Sequence, residues 1–115
     1  IMAVRRAAAL VHHARRPAMP AYLVADVEVI DRDLYEEYRK GVPATVAAFG
    51  GRFLVRGGAT QTLEGDWSPK RAVVLEFPDV AALRRWYDSP EYAPLLALRK
   101  RAARSSLVVM DGVAP

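Results

Sequence analysis

The chain has 115 residues, a length that fits one domain of ordinary size and not two. It contains no cysteine, which excludes disulfides, thiolate catalysis and sulfur-ligated zinc. Hydrophobic residues make up 52% and charged residues 26% of the chain, a balance typical of globular proteins. No apolar run approaches the roughly 18–20 residues that a membrane-spanning helix needs.

The net charge of +4 arises at the start of the chain, where the first 20 residues contain four arginines and no carboxylate. The remainder is therefore neutral and lacks the basic stripe of a nucleic-acid binder, so we expect no nucleic-acid partner. Residues 1–18 are predicted to be a basic extension that can form an amphipathic helix over residues 4–16. A membrane-surface helix and a plain upstream extension both fit it. The domain is predicted over residues 19–115.

The first predicted strand covers residues 21–30, where side chains alternate with a period of two. One face carries Leu23, Ala25, Val27 and Val29, and the other carries Tyr22, Val24, Asp26 and Glu28.

A helix is predicted next, because Asp31 is a typical N-cap and apolar residues follow at helical spacing. They are Leu34, Tyr38, Val42, Val46 and Phe49. Gly41 and Pro43 are predicted to kink or split this helix, and Gly50-Gly51 to end it.

The second strand is predicted over residues 52–56, with an interruption at Gly57-Gly58 and a continuation over residues 60–63. A hairpin loop over residues 64–70 leads to a third strand over residues 71–77. Val80, Leu83, Trp86 and Tyr87 then indicate a short helix.

The sequence Ser89-Pro90-Glu91 indicates that a helix restarts, and it continues through Leu95, Leu98 and Ala102. The last strand is predicted over residues 107–110. The order is thus βαββαβ, which predicts an α+β ferredoxin-like fold: a four-stranded antiparallel sheet with both helices on one face.

The second face of this sheet is expected to mix apolar and charged side chains: Tyr22, Val24, Asp26, Glu28, Arg52, Leu54 and Arg56. A solvated face would be mostly polar, and a plain core would not hold these charges. Coverage by a second sheet, with paired charges lining a cavity, explains both features. We therefore expect a homodimer formed through this face.

Several ordered motifs resemble those of the domain-of-unknown-function family 1330, in the dimeric α+β barrel superfamily. The matching residues are Asp31, Tyr35 and Tyr38, the runs 50–58, 63–67, 76–79 and 86–92, and Arg99. The resemblance implies a ferredoxin-like protomer, a face-to-face dimer and no settled biochemical role. Better known members of the superfamily are cofactor-independent monooxygenases, lactone isomerases and haem enzymes.

Both histidines, His12 and His13, lie in the extension, so the domain lacks the commonest general base and haem ligand. Carboxylates are scattered along the chain, and no metal-ligand spacing is present. We therefore expect no metal and no cofactor. Ser89 has no histidine to activate it, which favours a structural role as a helix cap.

The candidate catalytic residues are the carboxylates of Glu64 and Asp26, either of which can move a proton. Arg56 can bind an acidic ligand or stabilise an oxyanion, although an ordinary ion pair with Glu64 fits equally well. Candidate ligand-binding side chains are aromatic: Tyr22, Trp67, Trp86, Tyr87 and Tyr92. For Trp86, Tyr87 and Tyr92, packing in the core is the more common role.

Two functions remain open at this stage. The first is a homodimer that binds a small organic ligand in the cavity between its two sheets. The second is a cofactor-independent enzyme, resembling a monooxygenase or an isomerase, that acts on a small aromatic, lactone or carboxylate substrate. Frequent alanine and arginine suggest a bacterial protein from a GC-rich genome, and we expect it in the cytoplasm.

Overall fold

The computed structural model describes residues 19–114. In this range the elements are β1 (Ala21–Val29), α1 (Arg32–Ala48), β2 (Arg52–Arg56), β3 (Ala72–Phe77), α2 (Val80–Tyr87), α3 (Ala93–Ala102) and β4 (Ala103–Asp111). The predicted basic extension, with its helix and its two histidines, lies outside the described residues. None of the described helices is long and apolar enough to cross a membrane.

The strands form one antiparallel sheet in the order β2-β3-β1-β4. β1 pairs along its whole length with β4, which explains why β4 is longer than the predicted strand over residues 107–110. The predicted α+β ferredoxin-like fold is confirmed, with the second helical segment divided into α2 and α3.

Alternation along β1 separates the two faces of the sheet. Ala21, Leu23, Ala25 and Val27 are each at most 5% exposed and belong to the core. This core lies between the sheet and the helices, and its largest fully buried side chains are Trp86, Tyr92 and Phe77. The opposite side of the sheet, which carries the alternate residues of β1, is called the open face below.

Helix α1 begins as predicted, because the Asp31 side chain accepts a hydrogen bond from the Leu34 amide at 3.1 Å. The predicted split near Pro43 is wrong, since one helix runs through that position. A proline has no N–H to donate to the carbonyl four residues earlier, which is that of Arg39. That carbonyl instead accepts a hydrogen bond from Arg56 Nη2 at 2.6 Å. The backbone group released by Pro43 is thereby satisfied.

The second strand departs from the prediction in two ways. It does not resume over residues 60–63, because residues 57–71 form a loop without a strand. A β-bulge also falls between Phe53 and Val55, so that Val55 pairs with Val74 and Arg56 with Val73. One extra residue reverses the side-chain alternation. The placement of Arg56 on the open face was therefore wrong: it lies on the helix side, with its guanidinium 4.6 Å from the Phe53 ring centroid.

The segment between α2 and α3 is organised by Ser89, which is buried. Its hydroxyl donates to the Trp86 carbonyl at 2.8 Å and accepts from the Tyr92 amide at 3.1 Å. Ser89 thus caps a backbone amide, as its cap role predicted, although α3 itself begins only at Ala93.

Candidate functional site

The sheet separates the predicted site residues into two groups. Tyr22 and Asp26 lie on the open face, and Trp67 reaches Asp26 from the loop. Arg56, Trp86 and Tyr92 lie on the helix side. Half-buried Tyr87 packs beside Tyr92 there, with ring centroids 5.9 Å apart, and Glu64 is exposed in the loop over residues 57–71.

Asp26 organises the loop. Its carboxylate accepts hydrogen bonds from Trp67 Nε1 at 3.0 Å and from the Lys70 amide at 2.8 Å. The hydrogen bond from Trp67 is the main cause that lowers the pKa of Asp26 below its ordinary value, supported by the amides of Lys70 and Arg71. A carboxylate held in its charged form is a weak proton acceptor, so this geometry fits anchoring of the loop better than catalysis.

Removal of the Asp26 carboxylate is expected to release Trp67. In the Asp26→Ala protein, the fluorescence emission of Trp67 should shift to the red, and its indole should be quenched more strongly by acrylamide. The pKa of Asp26 in the folded protein lies below the ordinary aspartate value of 3.8. The stability that the anchoring contributes is therefore fully present above pH 3.8. It should be lost as the pH falls through the folded-state value. The Asp66→Ala protein is the matched control; an equal response there would contradict the assignment.

A second polar group on the open face joins Tyr22, Glu76 and Arg52. The Glu76 carboxylate accepts from Arg52 Nε at 2.8 Å and from the Tyr22 hydroxyl at 3.1 Å. These two hydrogen bonds lower the pKa of Glu76, and the same contact with Glu76 raises the pKa of Tyr22. The group provides the paired charges that the sequence predicts for this face.

A partly enclosed space of the protomer lies on the other side of the sheet, between β1, β3 and the helices. It is a cavity of about 40 Å³. Its apolar and aromatic walls are formed by Leu23, Ala25, Val27, Tyr35, Tyr38, Val42, Phe53, Val73, Leu75, Trp86 and Leu107. The charged side chains that line it are Arg39, Arg56, Arg71 and Arg99. Among residues 19–114, no carboxylate belongs to this lining, so the cavity combines apolar walls with positive charge.

A hydrogen-bonded network joins two residues that line the cavity, Tyr38 and Arg99, to Tyr92 behind them. The hydroxyl groups of Tyr38 and Tyr92 are 2.8 Å apart, and Arg99 Nε donates to the Tyr92 hydroxyl at 3.4 Å. Burial, together with the neighbouring Tyr92, raises the pKa of Tyr38 far above its ordinary value, so this phenol stays protonated at neutral pH. The network holds the Arg99 guanidinium at the Tyr92 hydroxyl and 6.0 Å from the Tyr38 ring centroid.

Arg56 reaches the cavity because of the bulge in β2 and is held by the carbonyl of Arg39. It forms no ion pair with Glu64 within residues 19–114. The structure therefore brings Arg56 and Trp86 to one cavity, with Tyr92 behind its wall, and leaves Tyr22, Asp26, Trp67 and Glu64 elsewhere.

Sequence reasoning missed Tyr38, Arg71 and Arg99 as site residues. A signal for Arg99 was present, because it stands four residues after Leu95 and three before Ala102, within the apolar stripe of α3. An arginine at a core position of a helix indicates a buried charge with a specific partner.

Within the described range, no cluster of three or more histidine or carboxylate side chains is placed to hold a metal ion. The family model for the domain of unknown function DUF1330 matches residues 20–113, which is most of the chain. The chain belongs to the DUF1330 family. No curated protein matches the sequence.

Solved structures show that this DUF1330 chain shares its fold with several proteins. A protein of unknown function from Rhodopseudomonas palustris, RPA0582, is 19% identical with a TM-score of 0.67, covering 96% of this chain and 95% of its own. SnoaB, a cofactor-independent oxygenase from Streptomyces nogalater, is 17% identical with a TM-score of 0.58, covering 84% and 96%. A dimeric ferredoxin-like protein from Thermobifida fusca is 19% identical with a TM-score of 0.57, covering 82% and 92%.

Proposed function

We propose that this protein is a homodimer that binds a small organic ligand in the cavity between its sheet and its helices. The observation that carries the proposal is the lining of that cavity. Apolar and aromatic walls with a few convergent polar groups are typical of small-molecule sites. The cavity of about 40 Å³ has room for roughly three water-sized groups, which suits the head of a small ligand.

This proposal moves the ligand from the predicted space between two sheets to the space within each protomer. The open face then serves assembly. Its row of four valines, Val55, Val74, Val24 and Val108, crosses all four strands at one level, since each is the register partner of the next. Val108 and the nearby Met110 are 52% and 48% exposed. A continuous apolar row of this kind favours contact with a second copy.

The charges on the open face support the same arrangement. Glu76 and Arg52 neutralise each other beside the valine row, so this pair brings no net charge into a contact between two such faces. The related protein from Thermobifida fusca is described as dimeric, which agrees with the proposal.

Native mass spectrometry of the purified protein tests the binding function. The expected spectrum is a dimer that carries a defined extra mass, and Ala25→Val is the variant to compare with it. Ala25 is 5% exposed and lines the cavity, so valine adds two methyl groups to the enclosed space and suits a strand. The variant should remain dimeric and lose the extra mass. Equal retention by both proteins would contradict the proposed site.

A cofactor-independent enzyme acting on a small aromatic, lactone or carboxylate substrate is the second candidate. The favouring observation is that the phenol pair of Tyr38 and Tyr92 meets the Arg99 guanidinium at the cavity, where charge developing on a substrate oxygen would be stabilised. SnoaB supplies the analogy of a cofactor-independent oxygenase on this fold. Purification without oxygen separates an oxygenase from a binding protein: an oxygenase changes the mass of the retained ligand when oxygen is admitted, whereas a binding protein leaves it unchanged.

A further inference from the structure

Arg99 carries a positive charge that nothing within residues 19–114 neutralises. The residue is only 6% exposed, and a guanidinium keeps its charge at any physiological pH. Its one hydrogen bond to the described protein is the long contact of 3.4 Å from Nε to the Tyr92 hydroxyl. In the part of the chain that the structure describes, no carboxylate lies within ion-pair distance of Arg99. Since buried charges are normally paired, the terminal N–H groups of Arg99 indicate a missing anionic partner.

Arg71 adds a second incomplete guanidinium to the same cavity. Its Nε is buried without a hydrogen-bond partner, and its guanidinium carbon lies 5.4 Å from the Tyr35 ring centroid. The side chain packs closely over Gly57, where an added Cβ would lie 2.5 Å from Arg71 Nη1. The chain therefore holds the Arg71 guanidinium in place without giving its Nε a hydrogen-bond partner.

The carboxylates that could neutralise these arginines are engaged elsewhere. Glu76 pairs with Arg52 on the open face, and Asp26 anchors the loop on that same side of the sheet. Glu36 pairs with Arg39, a different arginine of the cavity lining. Of the four arginines that line the cavity, only Arg39 pairs with a carboxylate among residues 19–114. The cavity therefore carries excess positive charge, in a setting where apolar walls strengthen any charge interaction.

We infer that the ligand is a small organic monocarboxylate whose carboxylate binds Arg99, with Arg71 close by and an apolar body against Tyr35 and Phe53. The inference rests on the proposed function and specifies its ligand class. A guanidinium can donate two parallel hydrogen bonds to a carboxylate, which fits the free terminal nitrogens. Exposed Arg56 stands at the boundary of the cavity, where the body of a ligand larger than a few atoms would extend outward.

Calorimetric titration with benzoate and with its neutral isostere benzamide tests the charge requirement directly. The wild-type protein should bind benzoate at least about tenfold more tightly than benzamide, because only benzoate completes a charge-assisted pair. Arg99→Met should weaken benzoate binding by about tenfold or more while leaving benzamide binding unchanged. Arg99→Lys, which keeps the charge but not the paired donors, should show an intermediate loss.

The matched control is Arg84→Met, which removes an exposed arginine of α2 that pairs with Asp88 and should leave benzoate binding unchanged. A purely structural role for Arg99 would lower the melting temperature of ligand-free Arg99→Met. We expect that temperature to be unchanged or higher, because the variant removes an uncompensated buried charge. A lower melting temperature with unchanged benzoate affinity would overturn the inference.

Other outcomes separate this inference from the proposed function. Equal binding of benzoate and benzamide, lost in Ala25→Val, would overturn the carboxylate requirement and leave a neutral ligand in the same cavity. Binding of sulfate but not of benzoate would also overturn it, because the site would then take inorganic anions. Failure of the proposed function would appear differently, as probe binding that Ala25→Val does not change.

Discussion

Replacement of Trp86 by alanine is expected to lower the free energy of unfolding by about 3–5 kcal/mol, the usual cost of removing a large buried aromatic side chain. Trp86 is 1% exposed and packs against Tyr92 and Phe77, with ring centroids at 4.2 and 5.5 Å. Its indole also donates to Thr45 Oγ1 at 3.0 Å. The truncation leaves a void and removes the hydrogen bond that the Thr45 hydroxyl accepts, in a domain whose whole stability is of order 5–15 kcal/mol.

Urea unfolding followed by circular dichroism measures this loss, at one protein concentration because the proposed dimerisation would couple to unfolding. Trp67→Ala is the control, since Trp67 is 61% exposed and should cost less than about 1 kcal/mol. A similar loss for the two tryptophans would show that the core is not organised around Trp86.

A charge placed in the valine row of the open face is expected to dissociate the proposed dimer. In Val108→Arg, two-fold symmetry brings two new cations into one interface, and like charges there cost several kcal/mol. The dimer dissociation constant should rise about 100-fold or more, since each 1.4 kcal/mol is a factor of ten. The protomer should stay folded, because Val108 is already 52% exposed in it.

Light scattering coupled to size-exclusion chromatography at micromolar concentration measures the molar mass, which should fall from that of a dimer to that of a monomer. Val113→Arg provides the same charge at a position that is 91% exposed and outside the sheet, and it should remain dimeric. If Val108→Arg stays dimeric while remaining folded, the dimer uses another surface.

The fold was predictable because local patterns and tertiary structure agree along most of the chain. The period of two in β1 and the helical spacing in α1 select residues that the structure either buries or packs, partly exposed, against the core, although buried Tyr35 was not among them. The failures have tertiary causes. Helix α1 continues past Pro43 because Arg56 satisfies the released carbonyl of Arg39, a contact between distant residues that no local pattern contains.

The site was less predictable than the fold. A single bulge after Phe53 moved Arg56 to the opposite side of the sheet, and the register of a partner strand is needed to detect it. Glu64 and Asp26 were chosen for their chemical type, yet one is exposed in the loop and the other is a loop anchor. Arg99 was overlooked because its significance lies in the absence of a nearby carboxylate, which is a property of three-dimensional neighbours.

The tryptophans offer the most direct test of where the ligand binds, because the sequence contains two and they lie on opposite sides of the sheet. Trp86 lines the cavity between sheet and helices, whereas Trp67 is bound to Asp26 on the open face. Benzoate should change the emission of a Trp67→Phe protein, in which only Trp86 remains. The change should saturate as the benzoate concentration rises, and it should be absent when Ala25→Val is added to that protein. A response confined to Trp67, in a Trp86→Phe protein, would contradict the account and place the ligand between the two sheets.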